Sequence, residues 1–362
     1  MRLEEQNILF FTRTMMPGGT ENVILQLCEI FGPLVNKIVV CSCGGVNVNK
    51  LKAMGIRHFE IPDIESKSLY TVIKTAGALK KIVRDEKITV IHTHHRMAAF
   101  YVSLLGLYKK HVFINTSHNT FSNKKKLTQI AYKRAYIVAC GEKVKNNLTE
   151  FFEIPERQVT VIHNAVKPFE GPETADDLIQ KLRAEGDFII GNIGRLSQQK
   201  GMEYYVKSIP IILKHFPKTR FFIIGSGEEE EKLKTMAEEE GICEALCFTG
   251  YRSDIQNIIA QLDLVVLSSL WEGFPLTPME AFSMGRTIVA TAVDGTVEIV
   301  ENEKTGLLVE PKSPEQIAEK VIWMMKHPKE KKKMELNALK KYQEEFSMKK
   351  FAETYISYYE RI

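Results

Sequence analysis

The side chains best placed for chemistry are two glutamates, Glu272 and Glu280, in the stretch Ser268–Ser269–Leu270–Trp271–Glu272–Gly273–Phe274–Pro275–Leu276–Thr277–Pro278–Met279–Glu280–Ala281. The apolar run Leu264–Val265–Val266–Leu267 stops at two serines, Gly273 and Pro275 punctuate, and a helical pattern sets in at about Pro278. In open α/β sheets ligands gather beyond the carboxyl ends of strands, where a helix N-terminus offers unpaired N–H groups to anions such as phosphate. Two carboxylates beside such a pocket suit sugar hydroxyls, because an ionised carboxylate only accepts hydrogen bonds. A cationic pair comes earlier. Arg195 follows the apolar run Phe188–Ile193 and Lys200 precedes Gly201, so that a planar fork and a point charge can reach one anion from two sides of a loop. Taken alone, this is also what an ordinary basic loop looks like.

The elements that must carry these groups alternate strand and helix, which gives an α/β class. Strands are expected at Asn7–Phe11, Lys37–Ser42, Arg57–Ile61, Thr89–Thr93, from Val112 and at Val159–Ile162. Between them lies a helix at Leu69–Arg84 with Val72, Ala76, Leu79 and Val83 on one face. Gly18 and Gly19 close the first turn, where missing Cβ atoms let the backbone approach a ligand. His92 and His94 alternate along a strand and share a side, with His95 opposite. No third ligand of fixed spacing accompanies them, so they read as hydrogen-bonded strand-end residues rather than a metal pair. His118 stands where the strand from Val112 runs into polar residues. After Val159–Ile162 comes a linker composition with Pro168, Gly171, Pro172 and Glu173–Asp177. The division expected is 1–166, a linker at 167–186, a second domain at 187–345 and a final helical segment at 346–362. The second half restarts the rhythm with strands at Phe188–Gly194, Arg220–Gly225 and Ala245–Thr249 and the apolar run Leu264–Leu267, and Asp254 is placed to cap a helix from Ile255.

With 362 residues and 44% hydrophobic composition the chain can bury more than one core. The longest apolar stretch, Met97–Tyr108, falls short of the roughly 20 residues of a membrane span. The acidic start Met1–Gln6 lacks the apolar core of a signal peptide, so a cytoplasmic location is expected. The six cysteines lack the partners of a zinc or redox motif and read as buried thiols. Charge is uneven. Residues 1–165 carry 23 Lys/Arg against 13 Asp/Glu and the remainder 26 against 32. The segment 123–136 holds Lys124, Lys125, Lys126, Lys133 and Arg134 without an acid, alongside Leu127, Ile130 and Ala131 at helical spacing. That pattern fits either a solvated helix face or one resting on an anionic membrane surface, possible at the inner face of the membrane.

The spacing Glu272-x7-Glu280 inside Trp271–Pro275 resembles the paired-glutamate signature of the retaining, family-four glycosyltransferases with the GT-B fold. Gly18–Gly19–Thr20–Glu21 resembles their Gly-Gly-x-Glu loop, and Gly194–Arg195 with Lys200–Gly201 resembles their Gly-Arg…Lys-Gly element. Asp294–Glu298 and Thr305–Val309 resemble further family elements. The resemblance implies two Rossmann-like domains facing a central cleft, acceptors on the first, the nucleotide-sugar donor on the second, and a last helix, Met348–Tyr359, crossing back to the first. It implies that Arg195 and Lys200 clamp the donor diphosphate, Glu280 holds the ribose, Glu272 a donor-sugar hydroxyl, and His118 contacts the hexose. Gly18 and Gly19 would approach the donor phosphates, Gly273, Phe274, Pro275, Leu276 and Thr277 would complete the donor loop, and Tyr251 and Arg252 would lie along the base. Retention without a metal ion or cofactor is implied, with a UDP-sugar donor, a glycan or lipid-linked acceptor and no nucleic acid. At one place the chain departs from the pattern: Asn164 is followed by Ala165 instead of glycine, which disfavours a positive-φ turn at 165. Two other readings are a hydrolysing nucleotide-sugar epimerase, which would need no acceptor, and a non-catalytic nucleotide-sugar-binding protein.

Overall fold

The computed structural model describes all residues except Lys67, Pro172 and Glu173, the last two of which belong to the expected linker. The chain folds as two compact units, Met1–Asn164 with Lys349–Ile362, and Ala165–Met348.

The first unit is built on β1 (Asn7–Phe11), β2 (Lys37–Ser42), β3 (Arg57–Glu60), β4 (Val90–Thr93), β5 (Val112–Ser117), β6 (Tyr136–Ala139) and β7 (Val159–Val161). All neighbours pair in parallel in the order β3-β2-β1-β4-β5-β6-β7. Parallel sheets are covered on both faces, and β1 and β4 are buried at every residue, the polar Asn7, His92 and Thr93 included. The strand order reverses beside β1, so the segments leaving β1 and β4 diverge and open a crevice at the carboxyl edge. The helix Leu69–Asp85 buries Thr75, Leu79, Ile82 and Val83, leaving Val72 and Ala76 only half-buried; its inward stripe is rotated from the expected one. β6 had no counterpart among the expected strands. In the helix Lys125–Tyr132, Ala131 turns into the core with Thr128 and Tyr132, while Ile130 stays exposed, so the three apolar residues do not share one surface.

The last helix, Met348–Arg361, belongs to this first unit from Lys349 onward and buries Phe351, Tyr355, Tyr358 and Tyr359. Its attachment to the sheet is partly polar. His92 Nδ1 bonds Tyr359 Oη at 2.6 Å, His92 Nε2 bonds Thr116 Oγ1 at 2.7 Å, and Thr116 Oγ1 lies 3.3 Å from Tyr355 Oη. Both imidazole nitrogens of His92 are therefore satisfied although the ring is fully buried, as a buried polar group requires.

The second unit repeats the winding with β8 (Phe188–Ile193), β9 (Thr219–Ile224), β10 (Leu246–Gly250), β11 (Leu264–Leu267), β12 (Ile288–Thr291) and β13 (Leu307–Val309), in the order β10-β9-β8-β11-β12-β13. Ile190, Phe221, Ile223 and Val266 meet Tyr205, Ile209 and Ile212 of the helix Met202–His215, together with Ile317, Val321 and Met324 of the helix Pro314–Lys326, in one core. Here the reversal lies between β8 and β11, paired through Leu264↔Ile190 and Val266↔Asn192. The expected linker contains a helix, Asp177–Ala184, whose Ile179 N–H is accepted by the Asp176 side chain at 3.3 Å. Neither Asn164 nor Ala165 has a positive φ, so the missing glycine is not needed there.

Replacing Tyr359 by Phe strips His92 of one buried partner and should cost about 1–3 kcal/mol in unfolding free energy by chemical denaturation. Tyr70→Phe, on a side chain 71% exposed, should change it by less than about 0.5 kcal/mol. Equal midpoints for the two variants would show that the buried network contributes nothing.

Candidate active site

The two loops that leave the carboxyl ends of β8 and β11 are stitched together. Leu270 N–H donates to Gln199 O at 2.8 Å, Gln199 Nε2 to Trp271 O at 3.0 Å, and Ser268 Oγ to Lys200 O at 3.0 Å. Gly201 makes the approach possible: its φ is 54°, and a Cβ there would lie 2.4 Å from Ser268 O. On the far side a Cβ on Gly295 would fall 2.0 Å from Gly273 O, so the loop after β12 closes against the glutamate loop.

Within this frame Lys200 Nζ donates to Glu272 Oε1 at 2.6 Å and Ser269 Oγ donates to the same oxygen at 2.6 Å. The Glu272 backbone N–H reaches Asp294 Oδ2 at 3.3 Å. The lysine stem lies over Gly194, where a Cβ would come within 3.2 Å of Lys200 Cε. Arg195 is exposed and its guanidinium has no ion-pair partner among the described residues, which leaves it open to an anion. Neither Ser269 nor Asp294 was singled out from the sequence. The two serines read there only as the end of a strand, and the partnership depends on loop geometry.

After Glu272, Phe274 is buried edge-on against Phe346 at 5.9 Å. Pro275 is extended, and the helix Leu276–Ser283 starts two residues before the expected Pro278. Pro278 is tolerated because the first helical turn needs no N–H for intrahelical bonds. No side chain caps this helix, so its leading N–H groups are open to a ligand. Glu280 follows in the next turn. Burial pushes its carboxyl up to about 7, opposed by the charge of Lys200.

The base-side candidates separate. Tyr251 is 63% exposed and free to stack on a ligand. Arg252 is spoken for: it makes two bonds of 2.8 Å to Asp254 and one of 3.0 Å to Asp176. This arrangement raises the guanidinium pKa and pulls Asp254 down to about 2. Asp254 does precede the helix Ile255–Gln261, but its carboxylate serves Arg252 and Asn257 instead of capping.

In the first unit, Gly18 precedes the helix Gly19–Phe31, and its missing Cβ leaves room for Glu21, whose Oε2 would stand 2.5 Å from such an atom. Thr14 Oγ1 donates to Glu21 Oε1 at 2.8 Å. His118 follows β5, with its Nε2 3.0 Å from His94 Nδ1 and the rings stacked at 22°. Burial, with a smaller contribution from His95, draws His118 down to about 4, so it is neutral at pH 7. Arg13, ion-paired to Asp63 and Glu65, adds a charged cluster on the segment after β1 that the sequence did not single out. Among the described residues no group of three or more His, Cys, Asp or Glu is arranged to hold a metal ion.

Residues 17–168 match the family model described as Glycosyltransferase Family 4, and residues 174–341 match Glycosyl transferases group 1. The chain belongs to the family-four glycosyltransferases. Among relatives of this glycosyltransferase is the UDP-Gal:alpha-D-GlcNAc-diphosphoundecaprenol alpha-1,3-galactosyltransferase of Escherichia coli, 28% identical over 320 residues, 82% of each chain. An uncharacterized glycosyltransferase of Methanocaldococcus jannaschii is 26% identical over 302 residues, 76% of this chain and 74% of its own. Among solved structures, Anabaena HepE in complex with UDP superposes with a TM-score of 0.85 at 18% identity, covering 99% of this chain and 100% of that one. A Rickettsia africae glycosyltransferase gives 0.83 at 21%, covering 98% of both. The fold of this family-four enzyme is GT-B, two Rossmann-like α/β units.

Proposed function

We propose that this glycosyltransferase moves a sugar from a UDP-sugar to a hydroxyl of a glycan or lipid-linked acceptor, with retention at the anomeric carbon and without a metal ion. The observation that carries the reading is the loop pair at β8 and β11, which sets the cations Arg195 and Lys200 beside the acids Glu272 and Glu280 at one strand-order reversal. UDP as the nucleotide is supported by the UDP complex of Anabaena HepE and by the UDP-sugar donor named for the Escherichia coli relative, whose acceptor is lipid-linked. Arg195 and Lys200 would neutralise charge developing on the leaving diphosphate, which supplies electrostatic stabilisation from the chain's own cations. Glu280 would accept from the ribose hydroxyls, Glu272 from a sugar hydroxyl, and Tyr251 would flank the base. Gly273–Thr277 would present backbone N–H groups, Gly18 and Gly19 would approach the phosphates, and neutral His118 would contact the hexose by hydrogen bonding. No side chain is assigned as nucleophile; a leaving phosphate oxygen would take the acceptor's proton.

A thermal-shift panel of UDP, GDP and ADP sugars should raise the melting midpoint most with a UDP-sugar, since ligand bound only by the native state stabilises by mass action. Product NMR with that donor should then give the donor's own anomeric configuration. An inverted product would end the retaining reading, release of free isomerised sugar without acceptor would favour the epimerase, and binding without turnover on any acceptor extract a binding protein.

Glu280 gives a pH signature. Burial pushes its carboxyl up to about 7, and hydroxyl donors favour its ionised form, so UDP binding should release a proton below that pH. Affinity should fall as pH drops through 7, by up to about tenfold per unit. Glu280→Gln should bind UDP more weakly and lose this dependence; calorimetry at pH 6 and 8 decides it.

A membrane-surface partner is supported by an open groove of about 1310 Å³ in the first unit. Lys109, Lys110, Lys126, Lys133, Arg134 and Arg157 line it, and none has an ion pair among the described residues. Exposed Ile130 and Tyr136 lie among them, the mix of cations and apolar tips that an anionic bilayer attracts. Among the described residues no helix is long and apolar enough to cross a membrane. Sedimentation with vesicles rich in anionic lipid should show binding that weakens with salt and with Lys126, Lys133 and Arg134 changed together to Ser. Equal binding to neutral vesicles, or none at low salt, would leave a soluble acceptor as the better reading.

A further inference from the structure

Two groups given separate tasks at the donor loop are bonded to each other. Glu272 Oε1 accepts from both Lys200 Nζ and Ser269 Oγ, at 2.6 Å each. Little water reaches them: Ser269 is fully buried, and the Glu272 and Lys200 side chains are 7% and 18% exposed. A charge-assisted bond this short in so dry a place is strong. While they hold one another Lys200 cannot turn fully to a phosphate, and Oε1, already accepting two bonds, has no lone pair left for a sugar hydroxyl. Ser269, by contrast, can keep its bond to the carboxylate throughout.

We propose that the Lys200–Glu272 pair is a latch opened by the donor diphosphate, and that Ser269 is a positioning residue that keeps the released carboxylate aimed for the sugar hydroxyl. The proposal rests on the assignment of this loop pair to a nucleotide-sugar diphosphate. A diphosphate brings more negative charge than one carboxylate and is also within the province of the unpaired Arg195, so it competes for the lysine on favourable terms. Gly194 puts no Cβ against the lysine stem, which removes one obstacle to its movement. Once Lys200 has left, the lone pair it occupied on Oε1 can accept from a hydroxyl, while Ser269 Oγ still donates to the same oxygen. Sugar recognition is then conditional on the diphosphate. A free hexose meets a carboxylate whose Oε1 already accepts from two donors, so the sugar nucleotide is favoured as one object.

The test is calorimetric titration of UDP into the full chain. Glu272→Gln keeps the shape and removes the charge that competes for Lys200, so it should bind UDP about tenfold tighter than the native chain. Glu272→Asp, whose shorter stem draws the carboxylate back from Lys200, should also bind tighter. Ser269→Ala should keep UDP affinity within about twofold yet lose about tenfold of the preference for the sugar nucleotide over UDP, with Ser269→Thr restoring it. A merely structural serine would lower both affinities together. If the native chain binds UDP and Glu272→Gln binds it equally or more weakly, the latch is overturned while the donor site stands. If the native chain binds none of the nucleotides, the donor assignment fails and takes the latch with it.

Discussion

The second unit is governed by a constraint of winding. Parallel strands laid outward in both directions from one pair must leave two neighbouring strands whose following segments run to opposite faces, and β8 and β11 are that pair. Seventy-two residues separate Lys200 from Glu272, and nothing in either loop's own conformation would bring them together. Strand adjacency does so, and three hydrogen bonds between the loops then fix the distance. The close approach depends on absent atoms as much as on present ones, since Gly201 and Gly295 each stand where any Cβ would strike a backbone oxygen.

The same winding in the first unit delivers a different kind of edge. Its imidazoles are stacked and hydrogen-bonded to one another or to hydroxyls, and burial keeps His92, His94 and His118 uncharged. Charge enters instead through Arg13 and its two acids. Across the second unit's site the balance is reversed: cations and carboxylates dominate, and Glu280 sits near its titration midpoint at neutral pH. The first edge therefore sets neutral imidazoles beside one charged cluster, whereas charged groups dominate the second.

Much of this was legible in the sequence, and for identifiable reasons. Parallel strands buried on both faces leave continuous apolar runs: β1, β2 and β11 were read with their observed bounds and β8 to within one residue. β6 escaped because Lys133 and Arg134 immediately before it drew the segment into a basic helix, and four residues are too few to show a period. The inward turn of Ala131 escaped because residues at three- and four-residue spacings leave the centre of a helix's buried stripe undetermined by tens of degrees. Residues that belong to a sequence motif could be named one by one, but their mutual bonds could not. Arg252 and Asp254 are only two residues apart, yet the motif gave no sign that they grip each other and Asp176. Ser269 was visible as punctuation and invisible as a donor, since only coordinates reveal which oxygen a hydroxyl meets.

The discontinuity of the first unit bears on the order of synthesis. Residues 349–362 complete a body otherwise made of residues 1–164, and the whole second unit is translated in between. Until the last helix emerges, the sheet waits with the surfaces that will take Tyr355 and Tyr359 bare and with His92 lacking its phenol partner, 267 positions away. Domains usually fold as units from the N-terminus while the ribosome still runs. Here that rule is broken by a single helix. The second unit can close first although it is made later, and the nascent first unit must stay soluble meanwhile with an unfinished apolar face, which makes it the stretch of this polypeptide with most to gain from a chaperone.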